Sequence, residues 1–246
     1  MKLLTMFIGI FIMGNILSTS YEQNMYTLCG LYSNNNVNIV ENSINKDMKY
    51  LKEDLKIPQL VGGKDLSKLN EINLKINNDI LPKLNEAEKT SEEYYGGVNT
   101  IAPEFPFEVY SRYKITKDNN SIVSLYNDYY EFLGGAHGLT IRTSYTVDKD
   151  QEKMLNLSDL FVLGYDYKSV INNEIKKQIG DNPEKYFESA DKFKGISDNQ
   201  GYYIDDDSVV IYYQQYDIAP YVAGIPEFKI PISKFGSSYK YTNTKA

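Results

Sequence analysis

The stretch from Tyr129 to Gly138 most constrains what this chain can fold into, because a run of strand-forming residues ends there in a glycine-rich segment. Residues 134–138 read Gly-Gly-Ala-His-Gly and contain the single histidine of the 246-residue sequence. Glycine adopts positive φ and permits close backbone approach, so this cluster predicts a tight, specific loop. The alternating residues on either side predict that one strand enters this 134–138 loop and another leaves it.

The clearest strand pattern in the sequence precedes that loop. Apolar residues alternate with polar ones and share one face of a predicted strand, namely Phe105, Phe107, Val109, Tyr113 and Ile115. Asp118-Asn119-Asn120 has turn chemistry, which predicts a hairpin between this strand and residues 121–133. Residues 139–147 alternate again after the loop. Three sequential strands joined in this way predict an antiparallel meander.

Two amphipathic helices are predicted, one before and one after the meander. In the first, Asp65 is the expected N-cap, Pro82 marks a kink or an end, and residues 86–100 form a polar loop. Its apolar face contains Leu66, Leu69, Ile72, Ile76, Ile80 and Leu84. The apolar face of the second helix contains Tyr167, Ile171, Ile175 and Ile179, and Gly180 and Pro183 end it.

Further strands are predicted near both ends of the chain. Short apolar alternations cover residues 37–44 and 50–60, and residues 202–204 and 209–213 flank a turn made of Asp205-Asp206-Asp207-Ser208. A closing strand contains Phe228, Ile230 and Ile232, and Pro231 places it at a sheet edge. The order predicts an α+β fold, a mostly antiparallel β-sheet with two main helices packed on one face.

The first 20 residues differ from the rest. Lys2 precedes an apolar run of residues 3–16, and the small residues 18–20 follow it, which is typical of a cleaved signal peptide. The run is shorter than the roughly 20 residues that span a bilayer, although a retained anchor stays an alternative. A flexible leader is predicted for residues 21–36, and Cys29, the single cysteine, excludes an intramolecular disulfide.

Net charge and tyrosine content indicate which classes of binding partner suit this chain. Asp and Glu number 33 against 26 Lys and Arg, which gives a net charge of −7 and disfavours nucleic acid and anionic membrane surfaces. We therefore predict no nucleic-acid partner, no membrane contact beyond the signal segment, and a preference for a basic partner. The chain contains 23 tyrosines and no tryptophan. Tyrosine suits both half-buried strands and protein-binding surfaces.

His137 is the obvious candidate for acid–base chemistry. No G-x-S-x-G motif accompanies it, and one histidine with one distant cysteine does not make a zinc site. We interpret His137 as a residue that fixes its loop through backbone hydrogen bonds. Residues 205–207 lack the spacing of a calcium loop and are interpreted as a solvated turn. We predict no catalytic residue, no metal and no cofactor, while an undetected glycosidase-type carboxylate pair stays open.

Three motifs in this order resemble a known family. They are Gly134 to Gly138, Asn156-Leu157-Ser158-Asp159-Leu160-Phe161, and the segment from Ile211 to Gly224 that contains Ile218-Ala219-Pro220-Tyr221-Val222-Ala223-Gly224. Together they resemble the paired domain of unknown function found in lysozyme-sensing anti-sigma factors of the RsiV type and ahead of the catalytic domain of PdaC-type peptidoglycan deacetylases. The resemblance implies an N-terminal half at residues 37–145, a C-terminal half at 146–236 and a tail at 237–246.

The same resemblance implies a module that is secreted or held at the extracellular face of the bacterial cell envelope. Its implied partners are lysozyme, a basic protein, or a peptidoglycan component, and its implied role is binding without catalysis. We expect the binding surface on the two irregular loops, because loops on a sheet scaffold commonly carry recognition. The candidate residues are Gly134, Gly135, His137, Gly138, Tyr216, Pro220 and Tyr221. Two alternatives remain: these residues shape turns, or the protein is a wall-active hydrolase that uses His137 or a carboxylate pair.

Overall fold

A computed structural model describes residues 35–95 and 105–242 of the chain. The predicted signal peptide, Cys29 and nearly all of the predicted leader lie outside these residues. The two long helices are α1 (Leu66–Tyr95) and α2 (Tyr167–Asp181). The strands are β1 (Val37–Asp47), β2 (Leu51–Gly62), β3 (Phe107–Asp118), β4 (Ile122–Phe132), β5 (Leu139–Asp148), β6 (Lys153–Met154), β7 (Tyr202–Asp205), β8 (Ser208–Tyr212) and β9 (Glu227–Pro231).

The first six strands form one sheet in sequential order, β1-β2-β3-β4-β5-β6. Neighbouring strands are antiparallel except for the parallel pair β2–β3, because α1 crosses between them. The predicted meander is confirmed: β3 and β4 form the hairpin, and the 134–138 loop joins β4 to β5. The register of these long strands therefore brings the 134–138 loop to the end of the sheet where β3 begins.

Helix α1 covers one face of this sheet and is longer than the sequence indicates. Its buried side chains recur at helical spacing and include Leu69, Ile72, Ile76, Ile80, Leu84, Ala87 and Ser91. A kink or an end is expected at Pro82; the end, and the loop expected from residue 86, are wrong as far as the helix is described, to Tyr95. Pro82 removes one backbone hydrogen bond, but the apolar stripe continues past it and burial of that stripe holds the helix together.

The alternation in β3 is correct at its start and fails towards its end. Phe107 and Val109 are buried, whereas Ile115 is 41% exposed. The pairing between β3 and β4 shifts register between Ile115 and Lys117. Thr116, directly after Ile115, is the extra residue of this bulge. A bulge bends and twists its strand locally, so regular alternation does not hold around it. Phe105 precedes the strand and is 70% exposed.

A second, three-stranded antiparallel sheet has the order β7-β8-β9 and packs with α2. The predicted face of α2 is confirmed, since Ile171, Ile175 and Ile179 are buried in this second core. The hairpin turn and the edge position of the closing strand with Pro231 are also confirmed. Beyond them, Tyr239 is buried and the Tyr241 hydroxyl donates a 2.8 Å hydrogen bond to Asp148.

The two sheets are joined by a buried arginine. Arg142 of β5 is 8% exposed, and its Nε and Nη2 atoms donate to the two carboxylate oxygens of Asp128 at 2.6 and 2.7 Å. Its Nη1 donates to Glu227 of β9, and its guanidinium lies 3.7 Å from the centroid of the Tyr126 ring. Burial acts to lower the pKa of Arg142, but Asp128 and Glu227 outweigh it and raise the pKa. The arginine therefore stays charged between the sheets.

The architecture is α+β with mostly antiparallel pairing, as predicted. The structure adds that the strands divide into two sheets and that each sheet has its own long helix. In the part of the chain that is described, no helix has both the length and the apolar character to cross a membrane.

Candidate functional site

The 134–138 loop meets a second irregular segment, residues 214–224, which joins β8 to β9. The structure brings His137 of the first loop together with Tyr216 and Tyr221 of the second. The His137 and Tyr221 rings stack with centroids 3.9 Å apart and an angle of 19° between their planes. His137 and Tyr216 are exposed, and Tyr221 is partly buried. We call His137, Tyr216 and Tyr221 the aromatic surface.

Both ring nitrogens of His137 have partners. Nδ1 donates to the carbonyl oxygen of Gly138 at 3.0 Å, and Nε2 lies 3.2 Å from the Tyr216 hydroxyl. A carbonyl can only accept, so Nδ1 carries a proton in this arrangement, and Nε2 and the Tyr216 hydroxyl form the second hydrogen bond. The backbone hydrogen bond expected of His137 is therefore present, and the ring makes a second hydrogen bond, to Tyr216.

The carbonyl oxygen of Gly138 is shared between the two loops. Besides the bond from His137, it accepts a 3.0 Å hydrogen bond from the Tyr221 hydroxyl. A Cβ atom at position 138 would lie 2.4 Å from the ring of Tyr130, which packs under the loop. Glycine at position 138 thus leaves room for the Tyr130 ring, which packs against the loop that carries His137. Tyr130 was not selected as a site residue from the sequence.

The backbone in both loops is unusual. Gly134 and Gly135 have φ values of 89° and 95°, as the glycine cluster predicts. Tyr216 has a φ of 69°, which is rare for a bulky residue and signals a conformation imposed by its surroundings. Pro220, with a φ of −66°, begins the short 3-10 turn Tyr221–Ala223 that places Tyr221 against His137. Gly134, Gly135 and Pro220 therefore shape the turns, while Tyr216 has an unusual turn conformation and is also part of the aromatic surface.

Two adjacent glutamines, which sequence reasoning missed, attach the second loop to β5. Gln214 accepts from the amide of Arg142 at 3.0 Å and donates to the carbonyl of the same residue at 2.7 Å. Gln215 accepts from the amide of Thr140 at 2.8 Å. These side chains satisfy a stretch of the β5 edge that β6 leaves unpaired, because β6 contacts only residues 147 and 148. Gln214 and Gln215 directly precede Tyr216 in the sequence, but the sequence gives no sign that their side chains bond to β5.

Two features of the structure bear on the hydrolase alternative. In the described part of the chain, His137 is hydrogen bonded to a carbonyl and a tyrosine, and no carboxylate orients it. A carboxylate pair does occur elsewhere: Lys46 Nζ lies 3.1 Å from Glu53 and 2.7 Å from Glu88. Burial and the proximity of Glu88 raise the pKa of Glu53, against the lowering effect of Lys46. The Glu53 side chain is fully buried, so a substrate cannot reach it.

What the surface offers chemically is a set of aromatic faces with polar edges. Such faces receive guanidinium and ammonium groups, and the tyrosine hydroxyls add hydrogen bonds at the rim. Val222, beside Tyr221, is 89% exposed and extends the surface with an apolar side chain. Across residues 35–95 and 105–242, no group of three or more His, Cys, Asp or Glu side chains is placed to hold a metal ion.

Comparison with known proteins shows that the two loops lie in regions that match two different families. A model of the family described as Deacetylase PdaC matches residues 44–140, which include the 134–138 loop. A model of the family described as Protein of unknown function (DUF3298) matches residues 158–233, which include the second loop. The aromatic surface therefore forms where the two matched regions meet.

One curated relative and two solved structures share much of this chain. The anti-sigma-V factor RsiV of Bacillus subtilis (strain 168) is 27% identical over 186 residues, which cover 72% of this chain and 62% of RsiV. The chain thus spans less than two thirds of that relative. A DUF3298 member from Bacteroides fragilis NCTC 9343 superposes with a TM-score of 0.63 at 18% identity, covering 84% of this chain and 95% of the other.

A DUF3298 protein from Pseudomonas aeruginosa PAO1 superposes with a TM-score of 0.52 at 19% identity, covering 86% of this chain and 97% of the other. At these identities the two structures show a shared fold and no more. The family resemblance predicted from the three motifs is confirmed: the chain carries an RsiV- and PdaC-like domain of unknown function.

Proposed function

We propose that this chain is a non-catalytic binding module at the extracellular face of the bacterial cell envelope, and that its aromatic surface recognises a basic protein such as lysozyme. The observation that carries the proposal is the stacking of His137 on Tyr221 beside the exposed Tyr216. Two loops distant in sequence are held together by hydrogen bonds and present their rings outward. Rigid, partly exposed aromatic clusters are typical centres of protein-binding surfaces.

Charge supports a basic partner. The net charge of −7 favours association with a cationic protein over nucleic acid or anionic lipid. The stacked His137 and Tyr221 rings and the Tyr216 ring offer π faces to arginine or lysine side chains. The resemblance to lysozyme-sensing proteins points to the same class of partner. A peptidoglycan component remains the other outcome of the binding experiment described next.

Tyr216→Gly is the sharpest substitution for testing the surface. Because Tyr216 has a φ of 69°, glycine relieves the backbone while removing the ring and hydroxyl that contact His137. We expect affinity for a C-type lysozyme, measured by calorimetric titration of the purified protein, to fall about thirtyfold, as for loss of an interface hot spot worth about 2 kcal/mol. The free energy of unfolding should not fall.

Leu163→Ala is the matched control, since Leu163 is a fully exposed apolar residue on a different loop, and it should bind lysozyme as the unchanged protein does. Equal affinity of Tyr216→Gly and the unchanged protein would remove the aromatic surface from the proposal. No saturable binding of the unchanged protein at micromolar concentrations would remove lysozyme, and peptidoglycan fragments would then be titrated in its place.

A further inference from the structure

A groove of about 520 Å³ lies beside the aromatic surface. One wall is the turn at residues 214–218, of which Gln214, Asp217 and Ile218 line the groove, whereas Tyr216 of the same turn contacts His137. The other wall is the segment 195–201, which precedes β7. The volume is within the range of small-molecule sites, about 300–1,000 Å³. The groove and the aromatic surface thus share one turn but present different residues.

Hydrogen bonds fix both walls in place. In the first wall, the Gln214 amide donates to Asp217 Oδ2 at 2.8 Å, which closes the turn. In the second, the Gln200 side chain donates to the Tyr212 carbonyl at 2.8 Å. A Cβ at Gly201 would lie 2.5 Å from the Tyr212 ring, so glycine is required for that ring to pack under the segment. The groove is therefore formed before any ligand arrives, which lowers the entropic cost of binding.

The lining has a particular chemistry. It contains the side chains of Ser197, Asn199 and Asp217, together with those of Gln200 and Gln214, whose amide groups are already hydrogen bonded to the backbone. The described lining includes no lysine or arginine, which disfavours an anionic ligand. Its polar groups disfavour an apolar ligand, because they would lose their hydrogen bonds to water. The amide of Asn199, the hydroxyl of Ser197 and the carboxylate of Asp217 match a neutral ligand that has hydroxyl donors and acceptors.

We propose that this groove binds a short neutral oligosaccharide. Asn199 and Asp217, on opposite walls, are the side chains that would bond the sugar hydroxyls, while Tyr213 and Ile218 supply apolar contact. This site is separate from the aromatic surface, so it goes beyond the proposed recognition of a protein. A module with both sites would bind the oligosaccharide on one side of the turn at residues 214–218 and a basic protein on the other side.

The experiment titrates the full chain with triacetylchitotriose and with cellotriose and follows backbone amide shifts by NMR. We expect saturable shifts at residues 195–201 and 214–218. Asn199→Ala and Asp217→Asn should each weaken binding about tenfold, the loss of one good hydrogen bond. Asparagine at 217 still accepts from the Gln214 amide, so the turn is retained. Asp207→Asn, an exposed carboxylate on the β7–β8 turn, is the matched control and should bind unchanged.

The two sugars separate two modes of recognition. Tighter binding of triacetylchitotriose indicates that the groove recognises N-acetyl groups, and equal binding indicates hydroxyl recognition alone. Asn199→Ala, on the wall away from the aromatic surface, should bind lysozyme as the unchanged protein does, so that loss of lysozyme binding and loss of sugar binding are distinguishable. No saturable shifts with either sugar, or equal affinity in Asn199→Ala, Asp217→Asn and the control, would overturn the proposal.

Discussion

Arg142→Met is expected to lower the free energy of unfolding by about 3 kcal/mol, because charged hydrogen bonds to two partly buried carboxylates are lost together. Methionine retains much of the aliphatic length of arginine but leaves Asp128 and Glu227 without their shared cation between the two sheets. It also removes the guanidinium from the face of Tyr126. Urea denaturation followed by far-UV circular dichroism measures the loss.

Arg112→Met is the matched control for that experiment. Arg112 pairs with Asp54, but the Arg112 side chain is 46% exposed whereas that of Arg142 is 8% exposed, so water already solvates the Arg112 guanidinium. Exposed pairs contribute at most about 1 kcal/mol, and the control should lose no more than that. Equal losses for the two substitutions would contradict the role of Arg142 as the connection between the sheets.

Glu152→Ala is expected to destabilise the protein by about 3 kcal/mol, because removal of this buried carboxylate leaves two backbone N–H donors unpaired. Glu152 is 3% exposed, and its carboxylate accepts from the amide of Lys64 and, at 2.7 Å, from the amide of Asp65 at the start of α1. A carboxylate there also interacts favourably with the helix dipole. These two hydrogen bonds connect the turn after β5 to the start of α1. Without them, the first turns of α1 should unfold locally more often.

Hydrogen exchange measured by mass spectrometry would locate that loosening. Amides of the first turns of α1 should exchange faster in Glu152→Ala, while those of α2 keep their protection. Asp65→Ala is the comparison: Asp65 is an exposed cap that accepts from the Ser67 amide at 3.0 Å, and its removal should cost about 1 kcal/mol. A smaller loss for Glu152→Ala than for Asp65→Ala would contradict this account.

The helices and the meander could be predicted because their patterns are local. The stripes of α1 and α2 repeat at helical spacing, and the turns around Asn119 and residues 205–208 have the expected chemistry. The errors arose where tertiary contacts override local rules. Pro82 predicts a kink or an end in α1, but the helix does not end there, because its buried face continues on both sides of Pro82. The bulge after Ile115 interrupts an alternation that the sequence alone continues.

The candidate site could be predicted only in part. The glycine cluster and the tyrosine-rich segment each identified a loop, but the stacking of His137 on Tyr221 depends on how β5 and the second sheet meet. The bonds from Gln214 and Gln215 to β5 are long-range and leave no local signature. The division into halves at residues 145 and 146 stays a proposal. Across it, the Ile204 amide donates to Ser124 at 2.9 Å.

The most direct test of the central claim is to map where a C-type lysozyme contacts the full chain, by hydrogen exchange with and without saturating lysozyme. We predict new protection at residues 134–138 and 216–224, with α1 and the β7–β8 turn unchanged. The same map recorded for Tyr216→Gly at equal lysozyme concentration should show weaker protection at both loops. Saturable lysozyme binding that protects other surfaces and leaves both loops unchanged would contradict the account.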